Sequence, residues 1–289
     1  MAKKIITILL SLVCIAGLVS CTEPEKEKEE LPPVTTVGLP ENEKVTANYE
    51  NDGFVINVYE TYSEIVEYKG KEAEVTVPDA FMGMPVRSVG EYAFFGNEVL
   101  TKITLPDSLI SIGKSAFQDC TSLVEAVLGS RLEMISQAAF RDSALEKINI
   151  PDSVATIERY AFYRTRLTEI KLPTSVSTVA KYSFYGCSRL TKITFSPRVE
   201  KIGEYAFSDC DSLVSVVITD GIELLGDYCF SECAALEKVF VPKNTGVGEN
   251  VFYACERLTL YSPKGSKAAD GAKKYGYSVK ECASAGKMP

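Results

Sequence analysis

The sequence predicts a repeat solenoid that carries a parallel sheet of short strands along one side. The first observation is a phenylalanine that returns every 22 or 23 residues: Phe94, Phe117, Phe140, Phe162, Phe184, Phe207, Phe230 and Phe252. The second is a leucine with the same period: Leu100, Leu123, Leu145, Leu167, Leu190, Leu213, Leu236 and Leu258. Such self-similarity means that one supersecondary unit is repeated and buries its apolar edge against its neighbours.

A short strand is predicted at each of these leucines. In a segment such as Leu167–Leu172, the first, fourth and sixth residues are apolar, whereas the third and fifth are mostly polar across the units. This alternation is typical of a strand whose alternate side chains point into the coil. A proline, which has no amide hydrogen, follows several of the segments and ends the strand: Pro106, Pro151, Pro173 and Pro242. The Tyr-Ala-Phe segment around the recurring phenylalanine is too short for an independent helix and predicts one helical or 3₁₀ turn.

Both ends of the array need a cover, because an open solenoid end exposes its core. Residues 54–78 partly alternate between apolar and polar and predict a capping hairpin, with the repeats over residues 79–260. Residues 261–289 are expected to form a cap and tail, with a short helix over Ser266–Tyr275 and a last strand over Tyr277–Lys280.

Residues 1–20 predict a lipoprotein signal peptide. Two lysines precede a mostly apolar run over residues 5–18, which is too short for a membrane span. The tetrapeptide from Leu18 to Cys21 resembles the lipobox of bacterial lipoproteins, which implies cleavage before Cys21 and a lipid on its thiol. The alternative is an ordinary cleavage site followed by a chance cysteine.

Residues 21–53 predict an acidic, proline-containing tether. Five glutamates and two lysines within residues 22–30, with no aromatic residue, cannot collapse onto a core. In some didermal bacteria a similar acidic stretch resembles an export signal for the outer face of the outer membrane, whereas a simple spacer is the alternative. We therefore expect an outer membrane lipoprotein, exposed at the cell surface and attached to the membrane through its lipid.

The composition argues against nucleophilic catalysis, transition-metal binding and nucleic-acid binding. The chain has no histidine, which removes Ser-His-Asp and Cys-His nucleophilic systems and the commonest transition-metal ligand. A formal charge of -8 argues against nucleic acid as a partner. We predict no catalytic, cofactor-binding or metal-binding residue. Carboxylates two residues after successive phenylalanines (Asp119 with Asp142, Asp209 with Glu232) are expected to serve local turns, with a weak calcium site as the alternative.

Five cysteines stand at one repeat position, three residues after the recurring phenylalanine: Cys120, Cys187, Cys210, Cys233 and Cys255. One position filled by cysteine in five units predicts a small buried side chain that stacks on its own kind rather than a set of disulfides. Cys282, near the carboxyl end, is expected to be the reactive thiol.

The units resemble the BspA-like leucine-rich repeats of bacterial surface proteins. The segment Leu100–Cys120 follows that family's pattern, Leu-x-x-Ile-x-Ile-Pro-x-Ser-Val-x-x-Ile-Gly-x-x-Ala-Phe-x-x-Cys, almost residue by residue. The resemblance covers roughly residues 76–260. It implies a right-handed solenoid with a parallel sheet on one side, implies no reaction, and points to a binding surface.

Two columns of outward residues bear on binding. The third strand position alternates in charge: Lys102, Glu125, Lys147, Glu169, Lys192, Ser215 and Lys238. Neighbouring opposite charges neutralise each other until Ser215 interrupts the pattern. The fifth strand position becomes apolar towards the carboxyl end, where Val217 and Phe240 are expected to be exposed side by side. Ser215, Val217, Lys238 and Phe240 therefore form the predicted binding face, unless the end cap or the tether covers it.

A column of tyrosines stands two residues before the recurring phenylalanine: Tyr92, Tyr160, Tyr182, Tyr205 and Tyr228. Tyrosines can stack on sugars, but a repeated column is more often a half-buried flank with its hydroxyls in water. The absence of tryptophan also argues against a sugar-stacking role.

These observations favour a lipid-anchored cell-surface protein that binds a macromolecular partner, such as a host protein or a glycan. The alternative is an envelope scaffold that assembles with other membrane-associated proteins. An enzyme such as a glycosidase is the least favoured function, because no insertion interrupts the repeats to form a cleft.

Overall fold

The structure, a computed structural model, describes residues 39, 40 and 43–287. The predicted signal peptide (residues 1–20), the predicted lipidation site Cys21 and most of the predicted tether lie outside the described residues.

The amino-terminal cap contains a hairpin within the predicted segment and one further antiparallel strand before it. It consists of β1 (Ala47–Asn51), β2 (Phe54–Val58) and β3 (Ser63–Tyr68). β1 occupies part of the segment predicted as tether, because Tyr49 packs on the core while its neighbours in the strand stay exposed. Tyr68 then stacks on Phe94, with ring centroids 5.0 Å apart, which joins the cap to the repeats.

Each coil of the array contributes one short strand to each of two sides. The first side contains β4 (Glu74–Thr76), β7 (Lys102–Thr104), β9 (Glu125–Val127), β11 (Lys147–Ile148), β13 (Glu169–Lys171), β15 (Lys192–Thr194), β17 (Ser215–Val217), β19 (Lys238–Phe240), β21 (Thr259–Ser262) and β22 (Ser278–Glu281). The second side continues from β3 through β6 (Met84–Val89), β8 (Ser111–Ile112), β10 (Met134–Ile135), β12 (Thr156–Ile157), β14 (Thr178–Val179), β16 (Lys201–Ile202), β18 (Leu224–Leu225) and β20 (Gly246–Val247). A short strand β5 (Ala80–Phe81) pairs antiparallel with β6.

Pairing between successive coils is parallel and in register, which confirms the predicted solenoid. Hydrogen bonding groups the first side as β4–β7–β9–β11, β13–β15 and β17–β19–β21–β22. Lys102 lies opposite Glu125, and Val217 lies opposite Phe240. The repeats begin at β4, inside the segment predicted as part of the cap, because Glu74–Thr76 pairs with β7 in the same register as the later coils.

The recurring phenylalanines form one continuous stack in the core. Each is at most 1% exposed, and the centroids of successive rings lie between 4.8 and 6.0 Å apart. The recurring leucines are buried as well, from Leu100 at 0% to Leu258 at 7% exposed. Burial of both ladders confirms the repeat register.

The Tyr-Ala-Phe segments form turns rather than the predicted helical turn. The residues two before and two after each ladder phenylalanine have positive φ, for example Tyr182 at 58° and Asp209 at 60°. The amide of Phe117 donates to the carbonyl of Ala139 in the next coil at 2.7 Å, and Phe162 donates likewise to Ser183 at 2.8 Å. A helical turn would use these amides within one coil, whereas here they tie neighbouring coils together.

The cysteine column is buried, as predicted, and it also forms hydrogen bonds. Each thiol donates to the carbonyl of the ladder phenylalanine one coil earlier, as Cys120 does to Phe94 at 3.1 Å and Cys187 to Phe162 at 3.2 Å. Ser143 fills the same position in its coil and donates to Phe140 at 2.8 Å. The column therefore adds a side-chain donor to carbonyls that also accept from an amide of their own turn, as Phe94 does from Asn97 at 3.1 Å.

The carboxyl-terminal cap matches the predicted helix and strand to within about one residue at each end. Helix α1 (Lys267–Lys274) begins after Ser266, whose hydroxyl accepts from the amide of Ala269 at 3.0 Å. β22 then adds the last strand to the first side, and a 3₁₀ turn over Ala285–Lys287 follows.

Candidate binding surfaces

The predicted binding face keeps three of its four residues at the surface. Ser215 is exposed, Val217 is 43% exposed, and Lys238, opposite Ser215, is half-buried. Phe240, however, is only 6% exposed, so the expectation that it lies exposed beside Val217 is wrong. The apolar area that remains comes from Val217 and from Val214, which precedes the strand and is 48% exposed.

Phe240 is covered because the sheet continues past it. β21 places Tyr261 opposite Phe240, and the following segment brings Cys282 and Ala285 against both rings in a small cluster separate from the main core. Cys282, the thiol predicted to be reactive, is therefore buried, and its sulfur donates to the carbonyl of Ser284 at 3.0 Å. The end cap thus covers one of the four residues of the predicted face, Phe240.

The alternating charge column is present with the predicted register. Lys102 Nζ lies 3.2 Å from the Glu125 carboxylate, and Glu169 lies opposite Lys192. The groups of the Lys102–Glu125 pair are more than one third exposed, so solvent screening leaves such pairs with little net stabilisation. The column favours correct alignment of the coils more than it adds stability.

The turns around the ladder phenylalanines form a third surface, here called the turn face. Its centre is a tyrosine column of Tyr160, Tyr182, Tyr205 and Tyr228, whose successive ring centroids are 5.0, 4.9 and 4.8 Å apart and nearly parallel. A second row, one residue after the phenylalanines, stacks Tyr163 on Tyr185 at 5.1 Å. Sequence reasoning missed this second row, although its 22-residue spacing was readable.

Stacking determines what the tyrosine column can bind. Successive ring faces meet each other, so the ring edges are what remain for a ligand, and the hydroxyl of Tyr228 already accepts from the side chain of Asn250 at 2.7 Å. At the amino-terminal end of the column, the guanidinium of Arg141 lies 5.9 Å from the Tyr160 ring centroid and covers that face too. This geometry argues against sugar stacking on the ring faces and favours contacts through the ring edges.

Partial burial also changes the acidity of the column. Loss of hydration raises the pKa of Tyr182 and of Tyr205 to about 12, and neighbouring tyrosines and Glu204 add to the effect. Burial likewise raises the pKa of Tyr185 to about 12. In the core, burial raises the pKa of Cys120 and Cys187 to about 12 from an ordinary value of 9.0.

We expect the protein to lose stability as the pH rises from about 9 to about 12. The unfolded chain releases its cysteine and tyrosine protons from about pH 9 to 10, whereas the folded chain keeps them until about pH 12. The folded state therefore binds more protons in this window, and alkali favours unfolding. Urea denaturation at about pH 8 and about pH 11 checks this, and an equal midpoint at both values would contradict it.

Charge on the turn face is segregated along the array. The coils of Phe140, Phe162 and Phe184 carry a basic half, consisting of Arg141, Arg159, Arg164, Arg166 and Lys181. The coils of Phe207, Phe230 and Phe252 carry an acidic half, consisting of Glu204, Asp209, Asp211, Asp227, Glu232 and Glu249. Lys181 and Glu204 meet at the boundary in a 2.7 Å ion pair. Burial, together with Asp211 and Glu232, raises the pKa of Asp209.

Carboxylates elsewhere serve the backbone. A shallow groove of about 320 Å³ lies along the ends of the first strands and is bordered by Asp79 and Asp107. Asp107 accepts from the amide of Ser130 at 2.8 Å, and this hydrogen bond lowers its pKa. Asp152 likewise accepts a hydrogen bond from the amide of Thr174 at 2.9 Å. Among the described residues, no group of three or more acidic or cysteine side chains is placed to hold a metal ion.

Comparison with known proteins identifies the repeats. The model of the BspA type leucine-rich repeat region matches residues 74–166 and 155–267, with six copies. These residues make up about two thirds of the chain. The chain belongs to the BspA-type leucine-rich repeat family. Family members are repeat proteins, and typical leucine-rich repeat proteins are binding scaffolds rather than enzymes.

Two solved structures resemble this BspA-type protein. The leucine-rich repeat protein of T. pallidum is 28% identical, with a TM-score of 0.56 over 81% of this chain and 98% of the other. A leucine-rich repeat protein from Bacteroides ovatus is 19% identical, with a TM-score of 0.52 over 81% of this chain and 76% of the other, and shows the fold alone. No curated protein matches the sequence. Over residues 39–40 and 43–287, no helix is long and apolar enough to cross a membrane.

Proposed function

We propose that this BspA-type protein is held at the outer face of the outer membrane by a lipid on Cys21 and binds another macromolecule there, a protein or a glycan. The lipobox-like segment before Cys21 supports the anchor, and the acidic stretch after it supports surface display. The repeat array supports binding, because each coil presents different outward side chains on an invariant core.

The observation that carries the proposed binding site is the exposed pair Val214 and Val217. Both are nearly half exposed at the place where the charge column is interrupted by Ser215. Apolar groups beside polar neighbours are the usual composition of an interaction site. Lys238, opposite Ser215, completes the face, and Phe240 supports it from beneath the cap instead of contacting a partner.

A capture experiment tests this face. The mature chain is immobilised and exposed to extracellular-matrix proteins and mucin in one arm and to an extract of envelope proteins in the other. We expect Val217→Asp to reduce capture of the recovered partner at least about tenfold, because a charge would have to be buried in the interface. Val127→Asp is the matched control, since Val127 holds the same strand position and is 40% exposed. Equal capture by Val217→Asp and the unchanged chain would exclude this face.

The two arms also separate the two functions. Capture of a matrix protein or a mucin supports adhesion at the cell surface. Capture of an envelope protein alone supports the scaffold alternative instead.

A further inference from the structure

The charge pattern of the turn face is complementary to itself. The basic half is concentrated around Arg159 and Arg164 in the coil of Phe162, and the acidic half around Asp227 and Glu232 in the coil of Phe230. All four of these side chains are exposed. Two acids lie among these basic residues: Asp142 is paired with Arg141 at 3.1 Å, and the carboxylate of Glu158 accepts from the amide of Gln137 at 2.7 Å. A second copy of the chain therefore presents a surface of complementary charge to each half.

We propose that the turn face binds the turn face of a second copy in antiparallel orientation, about a twofold axis that lies between the coils of Phe184 and Phe207. Such an axis reverses the order of the coils but keeps each residue at the same distance before or after its ladder phenylalanine. The coil of Phe162 then faces the coil of Phe230, and the coil of Phe184 faces the coil of Phe207.

This geometry pairs opposite charges at three positions. Arg159 and Asp227 both stand three residues before a ladder phenylalanine, so they face each other across the axis. Arg164 and Glu232 both stand two residues after one and face each other in the same way. Lys181 faces Glu204, so the one ion pair at the boundary of each copy joins that of the other copy in a ring of four charges.

The aromatic residues follow the same symmetry. Tyr160 faces Tyr228 of the second copy, and Tyr182 faces Tyr205, so the hydroxyl edges of the two columns meet along the centre of the interface. Arg141 faces Tyr253, a residue that is 56% exposed in one copy and can accept a cation on its ring. Tyrosine and arginine are enriched in the buried centres of interfaces.

The alternative orientation is disfavoured. A parallel arrangement of two turn faces would place the basic half of one copy against the basic half of the other, and the acidic half against the acidic half. The stacked tyrosines are already ordered in one copy, so their association costs little side-chain entropy. The patch spans only about six coils, or about 25 Å at the spacing of strands, so we expect a weak dimer with a dissociation constant in the micromolar range.

Sedimentation velocity of the full mature chain tests the proposal. Cys21→Ala is included so that no lipid drives association. We expect a monomer–dimer equilibrium that weakens at least about tenfold when salt is raised, because the paired charges are exposed at the rim.

Two charge-reversed chains make the test specific. Arg159→Glu with Arg164→Glu makes both members of these two pairs acidic, and Asp227→Lys with Glu232→Lys makes both members basic. Each variant alone is expected to be a monomer, whereas an equimolar mixture is expected to form a heterodimer in which every pair is again opposite in charge. Circular dichroism and thermal unfolding confirm that both variants are folded.

Three results would overturn the proposal. The first is an unmodified chain that stays monomeric up to about 1 mM, beyond the affinity of specific dimers. The second is dimerisation of either variant as tight as that of the unchanged chain. The third is a mixture of the two variants that remains monomeric. If the unchanged chain is monomeric but is retained on a sulfated polysaccharide column through Arg159 and Arg164, the basic half is an anion-binding surface instead, and the dimer is excluded.

Discussion

Phe162→Ala is expected to reduce the free energy of unfolding by about 3 to 5 kcal/mol. The ring is fully buried and stacks between Phe140 at 5.5 Å and Phe184 at 5.2 Å. Its removal leaves a cavity in the middle of the array, where neither cap can relax to fill the space. Urea denaturation followed by circular dichroism gives the change in stability.

Tyr163→Ala, one residue further on, is the matched control. Tyr163 stacks on Tyr185 at the surface and is only half-buried, so its truncation removes less apolar burial and opens no internal cavity. We expect a clearly smaller loss than for Phe162→Ala. Equal losses at the two positions would mean that the repeat register described above is wrong.

Phe240→Asp is expected to detach the carboxyl-terminal cap and to cost about 3 kcal/mol or more. The carboxylate would be buried against Tyr261 and Cys282 in a hydrophobic cluster. Val217→Asp is the control in the same register, since Val217 lies opposite Phe240 on the neighbouring strand but is exposed. It should change stability by about 1 kcal/mol or less.

Limited proteolysis with mass spectrometry distinguishes the two variants. We expect Phe240→Asp to be cleaved rapidly within residues 278–287 and Val217→Asp to remain as resistant as the unchanged chain. Resistance of Phe240→Asp would contradict the position of Phe240 beneath the cap.

The solenoid was predictable because the repeat period can be read directly from the sequence. The period of the phenylalanines and leucines determines which side chains enter the core, and the same period places Cys120 and Cys187 there. Parallel pairing follows directly, since one period separates neighbouring strands. Helix α1 was predictable for a local reason, namely the capping serine, Ser266, followed by residues that favour helix.

Other features were not predictable because they depend on contacts outside the repeat. The covering of Phe240 requires Cys282 and Ala285 to return to the first side, and nothing in the period of the repeats indicates that path. The strand β1 is formed by a partly polar segment, because pairing with β2 rather than composition holds it in place. The turns around the ladder phenylalanines are held by hydrogen bonds between neighbouring coils, and local sequence propensity does not predict such contacts.

The candidate surfaces show the same division. The exposure of Val217 followed from its strand position, whereas the segregation of charge on the turn face appears only when residues at equal distances from the phenylalanines are compared around Arg159 and Asp227. Stacking within the tyrosine column, which excludes its ring faces from binding, required the ring positions themselves.

The proposed role depends most directly on where the repeat array is displayed. Trypsin treatment of intact cells measures this, because residues 21–53 contain Lys26, Lys28 and Lys44 and the array contains further basic residues. Immunodetection of the array should show its loss from intact cells while a periplasmic marker protein survives. Cys21→Ala should release the chain from the membrane fraction. An array that survives on intact cells, is degraded only after permeabilisation, and stays in the membrane fraction with Cys21→Ala would contradict lipid-anchored surface display.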